Sequence, residues 1–131
     1  MKDYQLTYRQ FGAQTILVEW PQKVEPNILN DIQAFKGIIE LRLSDELEEA
    51  VSAYASLTLF FHQIQDQLKV IEGLKELYFQ RINTQSDNKT WVIPVCYDKS
   101  FGIDLDSLAK AHKLTVEEII YGHSKKTYLV Y

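Results

Sequence analysis

The sequence predicts an α+β fold in which helices pack on an antiparallel sheet, and three observations carry this prediction. Short segments of alternating apolar and polar residues occur in pairs, which is typical of antiparallel strands. Each pair is followed by a longer segment whose apolar residues lie three or four positions apart, which is typical of a helix with one buried face. Of the 131 residues, 46% are hydrophobic and 24% are charged, so the chain can bury a core.

The first two predicted strands are Tyr4–Phe11 and Gln14–Trp20. In the first, tyrosine and leucine alternate with polar residues, and the second contains the apolar run Thr15–Val18. Gly12 lies between the two strands and favours a turn, so a hairpin is the most economical connection.

A long helix is predicted next, over Asn27–Leu43. Pro26 suits the first turn of a helix, where its missing N–H costs nothing. A competing interpretation makes Ile38–Ser44 a strand, because this segment also alternates and because Gly37 costs roughly 1 kcal/mol in a helix interior. We favour the single helix because five apolar residues keep helical spacing across the glycine. They are Ile28, Ile32, Phe35, Ile39 and Leu43.

Two further strands, Leu47–Ser52 and Ala55–Phe61, precede a second helix over His62–Ile82. The acidic residues from Asp45 to Glu49 are interpreted as a solvated edge. A buried strand then follows at Trp91–Tyr97. After the first strand, this order is βαββαβ, which is the order of a ferredoxin-like antiparallel sheet with two helices on one face.

The segment Thr84–Asn88 is polar and has no periodicity, so we interpret it as a linker between a domain at 1–86 and a second unit at 87–131. The second unit is predicted to contain two short helices after its first strand. Asp104 is a plausible N-cap of the first of these helices.

Thr115 and Glu118 have the spacing of a capping box at the start of the second short helix. A final apolar strand is predicted at Thr127–Tyr131. Because a strand needs neighbours with which to pair, we expect the chain to be the front part of a larger molecule.

Composition and spacing exclude several classes of function. The formal net charge is −4, so no basic excess favours nucleic acid. No apolar run is long enough for a membrane helix. The five glycines are too dispersed for a phosphate-binding loop, and the three histidines do not have metal-ligand spacing. The single cysteine, Cys96, rules out an internal disulfide and is expected to pack inertly in its strand. The lack of a disulfide and the absence of a signal segment together predict a cytoplasmic protein.

The second unit carries motifs of a known family, and the first unit has a looser match in Gly12-x-x-x-Ile16-Leu17-Val18-Glu19 and Val51-x-Ala53-Tyr54-x-Ser56-Leu57. The motifs in the second unit are Ile93-Pro94-Val95-Cys96-Tyr97, Phe101-Gly102-x-Asp104-Leu105, Leu108-Ala109, Leu114-Thr115-x-Glu117-Glu118-Ile119-Ile120, His123 and Thr127-Tyr128-x-Val130-Tyr131. Together they resemble the family of allophanate hydrolase subunit one, the B-type subunit of 5-oxoprolinase and the inhibitor of the sporulation kinase A.

This resemblance implies a small α+β domain followed by a cyclophilin-like β-barrel domain, entered through the strand at Ile93–Tyr97. It also implies part of a subunit of a cytoplasmic, ATP-dependent 5-oxoprolinase, in which ATP activates the lactam carbonyl as an acyl phosphate that water attacks. Sister subunits would be its partners, and ATP would belong to the complex, with no cofactor held by this chain alone. The predicted catalytic residues are Tyr97, Asp104 and His123, because polar groups at the ends of strands and helices can line a cleft.

A second hypothesis from a different class is a protein-binding module that inhibits a sensor histidine kinase. The sheet would present a face or an edge to its partner, and Trp20, Tyr54 and Phe60 are candidate anchors, with core packing as the alternative role of each.

Overall fold

The computed structural model describes residues 3–82 and 89–130, which divide into two compact units, one in each range. Unit 1, residues 3–82, contains four strands and two helices, and unit 2, residues 89–130, contains two helices. The predicted linker Thr84–Asn88, and with it the predicted boundary between residues 86 and 87, lies outside the described residues.

The four strands of unit 1 form one antiparallel sheet with the order β1-β2-β4-β3. The predicted hairpin is confirmed, since Tyr8 pairs with Val18 across β1 and β2. Gly12 has a φ of 122° in the turn between them, a conformation that residues with a Cβ rarely adopt. The strands are β1 (Thr7–Gln10), β2 (Thr15–Glu19), β3 (Leu47–Ala53) and β4 (Ser56–Phe61).

Helix α1 runs from Pro26 to Arg42 without interruption, so the single-helix prediction is confirmed and the competing strand at Ile38–Ser44 is wrong. Pro26 occupies its first turn, as expected. The apolar spacing indicated the helix correctly, because a continuous helix places Ile28, Ile32, Phe35 and Ile39 on one buried face.

Helix α2 covers Gln67–Phe79 and is therefore shorter than the predicted His62–Ile82. The side chain of Asp66 accepts hydrogen bonds from the backbone N–H groups of Leu68, at 3.0 Å, and Lys69, at 3.2 Å. This N-cap satisfies donors that the first turn would otherwise leave open, and so it fixes the start of the helix.

Helices α1 and α2 pack on one face of the sheet. Along β2 and β4, alternate side chains point toward the helices and are buried, while those between them are half-buried. This alternation confirms the predicted α+β class with an antiparallel sheet. The buried cluster consists of Ile16, Val18, Trp20, Ile28, Ile32, Phe35, Ile39, Ala50, Leu57, Leu59, Phe61, Ile71, Leu74 and Tyr78.

The last strand of the predicted βαββαβ order is not found. Residues 91–97 form no strand, and within the described ranges the sheet contains only β1 to β4. Strand β2 already has β1 on one side and β4 on the other, so the hairpin fills the place beside β2. The prediction failed because an apolar, β-branched segment has a preference for a pleated surface, but this preference does not specify a partner strand.

Unit 2 contains helices α3 (Leu105–His112) and α4 (Val116–Lys125). The capping box predicted at the start of α4 is confirmed, because the Thr115 hydroxyl accepts from the Glu118 N–H while the Glu118 carboxylate accepts from the Thr115 N–H. The predicted strand at Thr127–Tyr131 is not found over residues 127–130, which pair with no other segment, and Tyr131 lies outside the described residues. None of the helices in the described ranges has the length and apolar character needed to cross a membrane.

Candidate functional site

Two of the three predicted catalytic residues meet in unit 2. The hydroxyl of Tyr97 and Nδ1 of His123 form a short hydrogen bond. The two rings stand edge to face, with centroids 5.9 Å apart and an interplanar angle of 81°. Since Nδ1 is occupied by this bond, Nε2 is the ring nitrogen of His123 that a substrate could reach.

The positions of both side chains follow from local sequence. His123 lies in the last turn of α4, at the negative end of the helix dipole. Tyr97 is half-buried and precedes a turn in which Oδ1 of Asp98 accepts from the N–H and the hydroxyl of Ser100, at 2.9 and 2.7 Å. These hydrogen bonds lower the pKa of the Asp98 carboxyl below its usual value, so the turn holds a carboxylate.

A third aromatic ring, that of Tyr128, belongs to the same cluster. Its centroid is 5.6 Å from that of His123, at an interplanar angle of 44°. Tyr128 falls in the segment predicted to be a strand, and no role was expected for it. The sequence could have indicated that Tyr128 lies near His123, because Tyr128 comes only five residues later, just beyond the end of α4.

Asp104, the third predicted catalytic residue, is not joined to this pair. Within residues 89–130, no hydrogen bond links its carboxylate to Tyr97 or His123. Asp104 occupies the N-cap position of α3 as predicted, but its side chain makes no capping hydrogen bond, so the expected capping interaction is wrong. Its backbone has φ and ψ near −108° and −2°, which differ from the extended conformation that suits a capping side chain.

Cys96 is exposed, so the prediction that it packs inertly in a buried strand is wrong. The burial was expected from the strand around it, and that strand does not form. Across the described ranges, no group of three or more His, Cys, Asp or Glu side chains is arranged to hold a metal ion.

Unit 1 contains a buried polar cluster that was not predicted from the sequence. Asp31 is only 2% exposed, and its carboxylate accepts three hydrogen bonds. The donors are Nε1 of Trp20 at 2.8 Å, the hydroxyl of Tyr78 at 2.7 Å and Nε of Arg81 at 2.7 Å. The spacing of the chain contained a signal for it, because Asp31 falls three residues after Ile28, on the apolar face of α1.

Arg81 extends this cluster to the start of the chain. Its Nη2 lies 2.9 Å from Oδ1 of Asp3, and its guanidinium stacks over the ring of Tyr78 at 3.5 Å from the centroid. Burial, and next the hydrogen bond to Asp31, raise the pKa of Tyr78 well above its usual value. The cluster therefore connects the first residues, α1 and the end of α2, and we assign it to the stability of unit 1.

The family model described as carboxyltransferase domain, subdomain C and D, matches residues 6–131. The chain is 26% identical over 134 residues to the B-type subunit of 5-oxoprolinase from Bacillus subtilis, an alignment that covers 93% of this chain and 56% of that protein. It is 30% identical over 92 residues to the B-type subunit of 5-oxoprolinase from Haemophilus influenzae, covering 70% of this chain and 43% of that protein. The chain thus spans about half the length of the curated relatives that it matches.

Two solved structures have a similar fold. A conserved uncharacterized protein from Pyrococcus horikoshii is 27% identical, with a TM-score of 0.52 over 95% of this chain and 58% of that one. The urea carboxylase of Kluyveromyces lactis is 20% identical, with a TM-score of 0.59 over 84% of this chain and 10% of that one. At 20% sequence identity, the similarity to urea carboxylase is evidence for the fold only.

Proposed function

Since the chain belongs to the carboxyltransferase subdomain C and D family, which includes the B-type subunit of 5-oxoprolinase and the allophanate hydrolase subunit, we propose that it is part of a subunit of a cytoplasmic, ATP-dependent 5-oxoprolinase complex. The complex opens the lactam ring of 5-oxoproline to give glutamate. The names of both curated relatives support this substrate. We propose further that these residues have no activity alone.

The chemistry of the proposed reaction requires a proton donor near the lactam nitrogen. ATP transfers its terminal phosphoryl group to the lactam oxygen, and a water molecule attacks the activated carbonyl carbon. The C–N bond then breaks, the nitrogen takes up a proton, and a second water releases phosphate from the resulting acyl phosphate. We assign the binding of ATP to partner subunits.

The single observation that carries the proposed site is the hydrogen bond between Tyr97 and His123. When the Tyr97 hydroxyl donates to Nδ1, Nε2 carries a proton and can donate it to the leaving nitrogen. In the other tautomer, Nδ1 donates to the Tyr97 oxygen and Nε2 can accept a proton from water. One side-chain pair can thus serve both proton transfers of the ring opening.

Residues 87–131 are proposed to begin a cyclophilin-like barrel domain, as the family resemblance implies. The exposed apolar side chains of unit 2 support this proposal, because many of them are β-branched and such side chains are typical of strands.

The test is to co-express the protein with its candidate partner subunits and to measure ATP hydrolysis that depends on 5-oxoproline. His123→Ala should lower kcat by at least about 100-fold, because it removes the proton donor. The matched control is His112→Ala, which removes an exposed histidine from the last turn of α3, the other short helix of unit 2. A folded His123→Ala complex that works at the wild-type rate would contradict the assignment of this histidine.

The alternative hypothesis, a module that inhibits a sensor histidine kinase, gains no support from the names of the relatives. One of its candidate anchors is also occupied, since Trp20 is 2% exposed and donates to Asp31 in the core. We therefore favour the enzymatic proposal.

A further inference from the structure

The C-terminal end of α4 carries three basic residues. His123 and Lys125 lie in its last turn, and Lys126 is its C-cap residue. Both lysines are exposed. In the part of the chain that the structure describes, no carboxylate forms an ion pair with either ammonium group, so both are available to an anion from solution.

The two lysines differ in the aromatic ring that each ammonium covers. Nζ of Lys125 lies 5.0 Å from the ring centroid of Tyr121, within α4. Nζ of Lys126 lies 5.7 Å from the ring centroid of Tyr128, and that ring contacts His123. A cation–π contact favours a position of the ammonium over the ring. Of the two lysines, only Lys126 therefore lies over a ring that also contacts His123 of the Tyr97–His123 pair.

We propose that Lys126 binds the carboxylate of 5-oxoproline while the Tyr97–His123 pair faces its lactam group. This inference rests on the proposed function, and it names Lys126 as the residue that makes the same site specific for the carboxylate of the substrate. The substrate is a small anion whose carboxylate and lactam are attached to one five-membered ring. A site that acts on the lactam and selects this anion therefore needs a cation close to its proton donor, and Lys126 is placed to supply it.

A purely structural role for the lysines makes a different prediction. Cations at the end of a helix stabilise the helix through its dipole, and Lys125 and Lys126 are equivalent in this respect. Under that interpretation, the same substitution at either position should have the same consequence. Under our proposal, only the substitution of Lys126 weakens the binding of the substrate.

The first experiment follows the nuclear magnetic resonance spectrum of the 131-residue chain during titration with three probes. They are 5-oxoproline, the neutral lactam 2-pyrrolidinone, which lacks the carboxylate, and inorganic phosphate. We expect 5-oxoproline to shift resonances of Lys126, Tyr128 and His123, and 2-pyrrolidinone to have no such effect at equal concentration. Lys126→Met should abolish the shifts, and Lys125→Met should preserve them.

Three outcomes of this titration would overturn the proposal. The first is the absence of shifts with 5-oxoproline, and the second is an equal response to 2-pyrrolidinone. The third is an equal response to phosphate, which would make the cluster a general oxyanion site with no preference for this carboxylate.

The second experiment uses the complex and separates this inference from the proposed function. Lys126→Met should raise KM for 5-oxoproline by about tenfold, as expected for one charge-assisted contact, with little change in kcat. Lys125→Met should leave both constants unchanged. If the wild-type complex turns over 5-oxoproline and Lys126→Met keeps its KM, the inference is wrong and the proposed function stands. If the wild-type complex has no such turnover, the proposed function fails, and the titration alone decides whether Lys126 binds the anion.

Discussion

Asp31 is buried on the apolar face of α1, where its negative charge is balanced by the guanidinium of Arg81 at 2.7 Å. The side chains of both residues are only 2% exposed, so removal of one charge leaves the other without its partner in a poorly solvated place. We expect Asp31→Asn to lower the free energy of unfolding by about 3–5 kcal/mol, measured by urea denaturation.

The matched control for this prediction is Glu40→Gln on the same helix. Glu40 pairs with Lys36 at 3.6 Å in an i,i+4 arrangement, and about half of its side chain is exposed. Exposed pairs of this kind contribute roughly 0.3–0.5 kcal/mol, so the control should change stability little. A loss for Asp31→Asn as small as that of the control would show that the buried pair does not support the fold.

Tyr8 should make the stability of unit 1 depend on pH in the alkaline range. Burial raises the pKa of Tyr8 to about 12, with Asp31 adding to the rise and Arg81 opposing it. The folded state therefore holds the phenol proton more tightly than the unfolded state does. This contribution to stability is complete below the unfolded pKa, near 10, and is lost as the pH rises toward 12.

Urea denaturation at about pH 9 and about pH 11 tests this dependence. Tyr8→Phe should reduce the loss of stability between the two pH values. Tyr54→Phe, which changes a tyrosine that is half exposed in the same unit, should leave the loss as in the wild type. Equal losses in Tyr8→Phe and the wild type would show that Tyr8 does not titrate as proposed.

Candidate site residues could be named from the sequence, whereas the contacts between them could not. Tyr97 and His123 were both named as candidates, but their hydrogen bond joins positions 26 residues apart and no local spacing encodes it. The role of Asp31 was missed for the same reason. Its partners come from the end of β2 and from α2 and the residues just after it, so only the fold brings their donors to one carboxylate.

At the scale of elements, Gly37 was one reason why the sequence allowed two interpretations of the segment that follows it, a continued helix or a strand. The structure places it inside α1, and a Cβ added there would meet no atom within 4 Å. Because glycine loses more conformational freedom on folding than alanine, Gly37→Ala should raise the free energy of unfolding by about 0.5–1 kcal/mol. Thermal or urea denaturation measures this change.

Gly12→Ala is the opposing control for Gly37→Ala. Gly12 has a φ of 122°, so an added Cβ is strained there although the nearest side-chain atoms leave it room. We expect Gly12→Ala to destabilise the hairpin. Destabilisation by Gly37→Ala instead would indicate that α1 is broken at this glycine, as the competing interpretation held.

Elements were predictable where sequence pattern and neighbours agreed. The strands and helices of unit 1 have apolar residues at the correct period, and each finds a partner within residues 3–82. The segments at 91–97 and 127–130 have the apolar character of strands and lack a paired neighbour, so their pattern alone gave the wrong element. The start of α2 was also misplaced, because the capping role of Asp66 was not recognised.

At the scale of the whole molecule, the two units differ in how their exposed apolar residues are distributed. In unit 1, no two exposed large apolar residues of the described range are adjacent in the sequence, and even the near neighbours Phe79 and Ile82 are separated by two residues, which is ordinary for a protein surface. In unit 2, Trp91 is 78% exposed and Val92, next to it, is 93% exposed. Contiguous exposed apolar surface is typical of an interaction site.

This difference predicts that the apolar surface of the chain resides in unit 2 and that unit 1 folds without it. The buried cluster of unit 1 is drawn entirely from residues 16–78, so a protein of residues 1–86 should fold and unfold cooperatively. The 131-residue chain should bind an apolar fluorescent dye such as anilinonaphthalene sulfonate, and residues 1–86 should bind little of it. Equal fluorescence from the two proteins would place the apolar surface in unit 1, and failure of residues 1–86 to fold would show that its core depends on the rest of the chain.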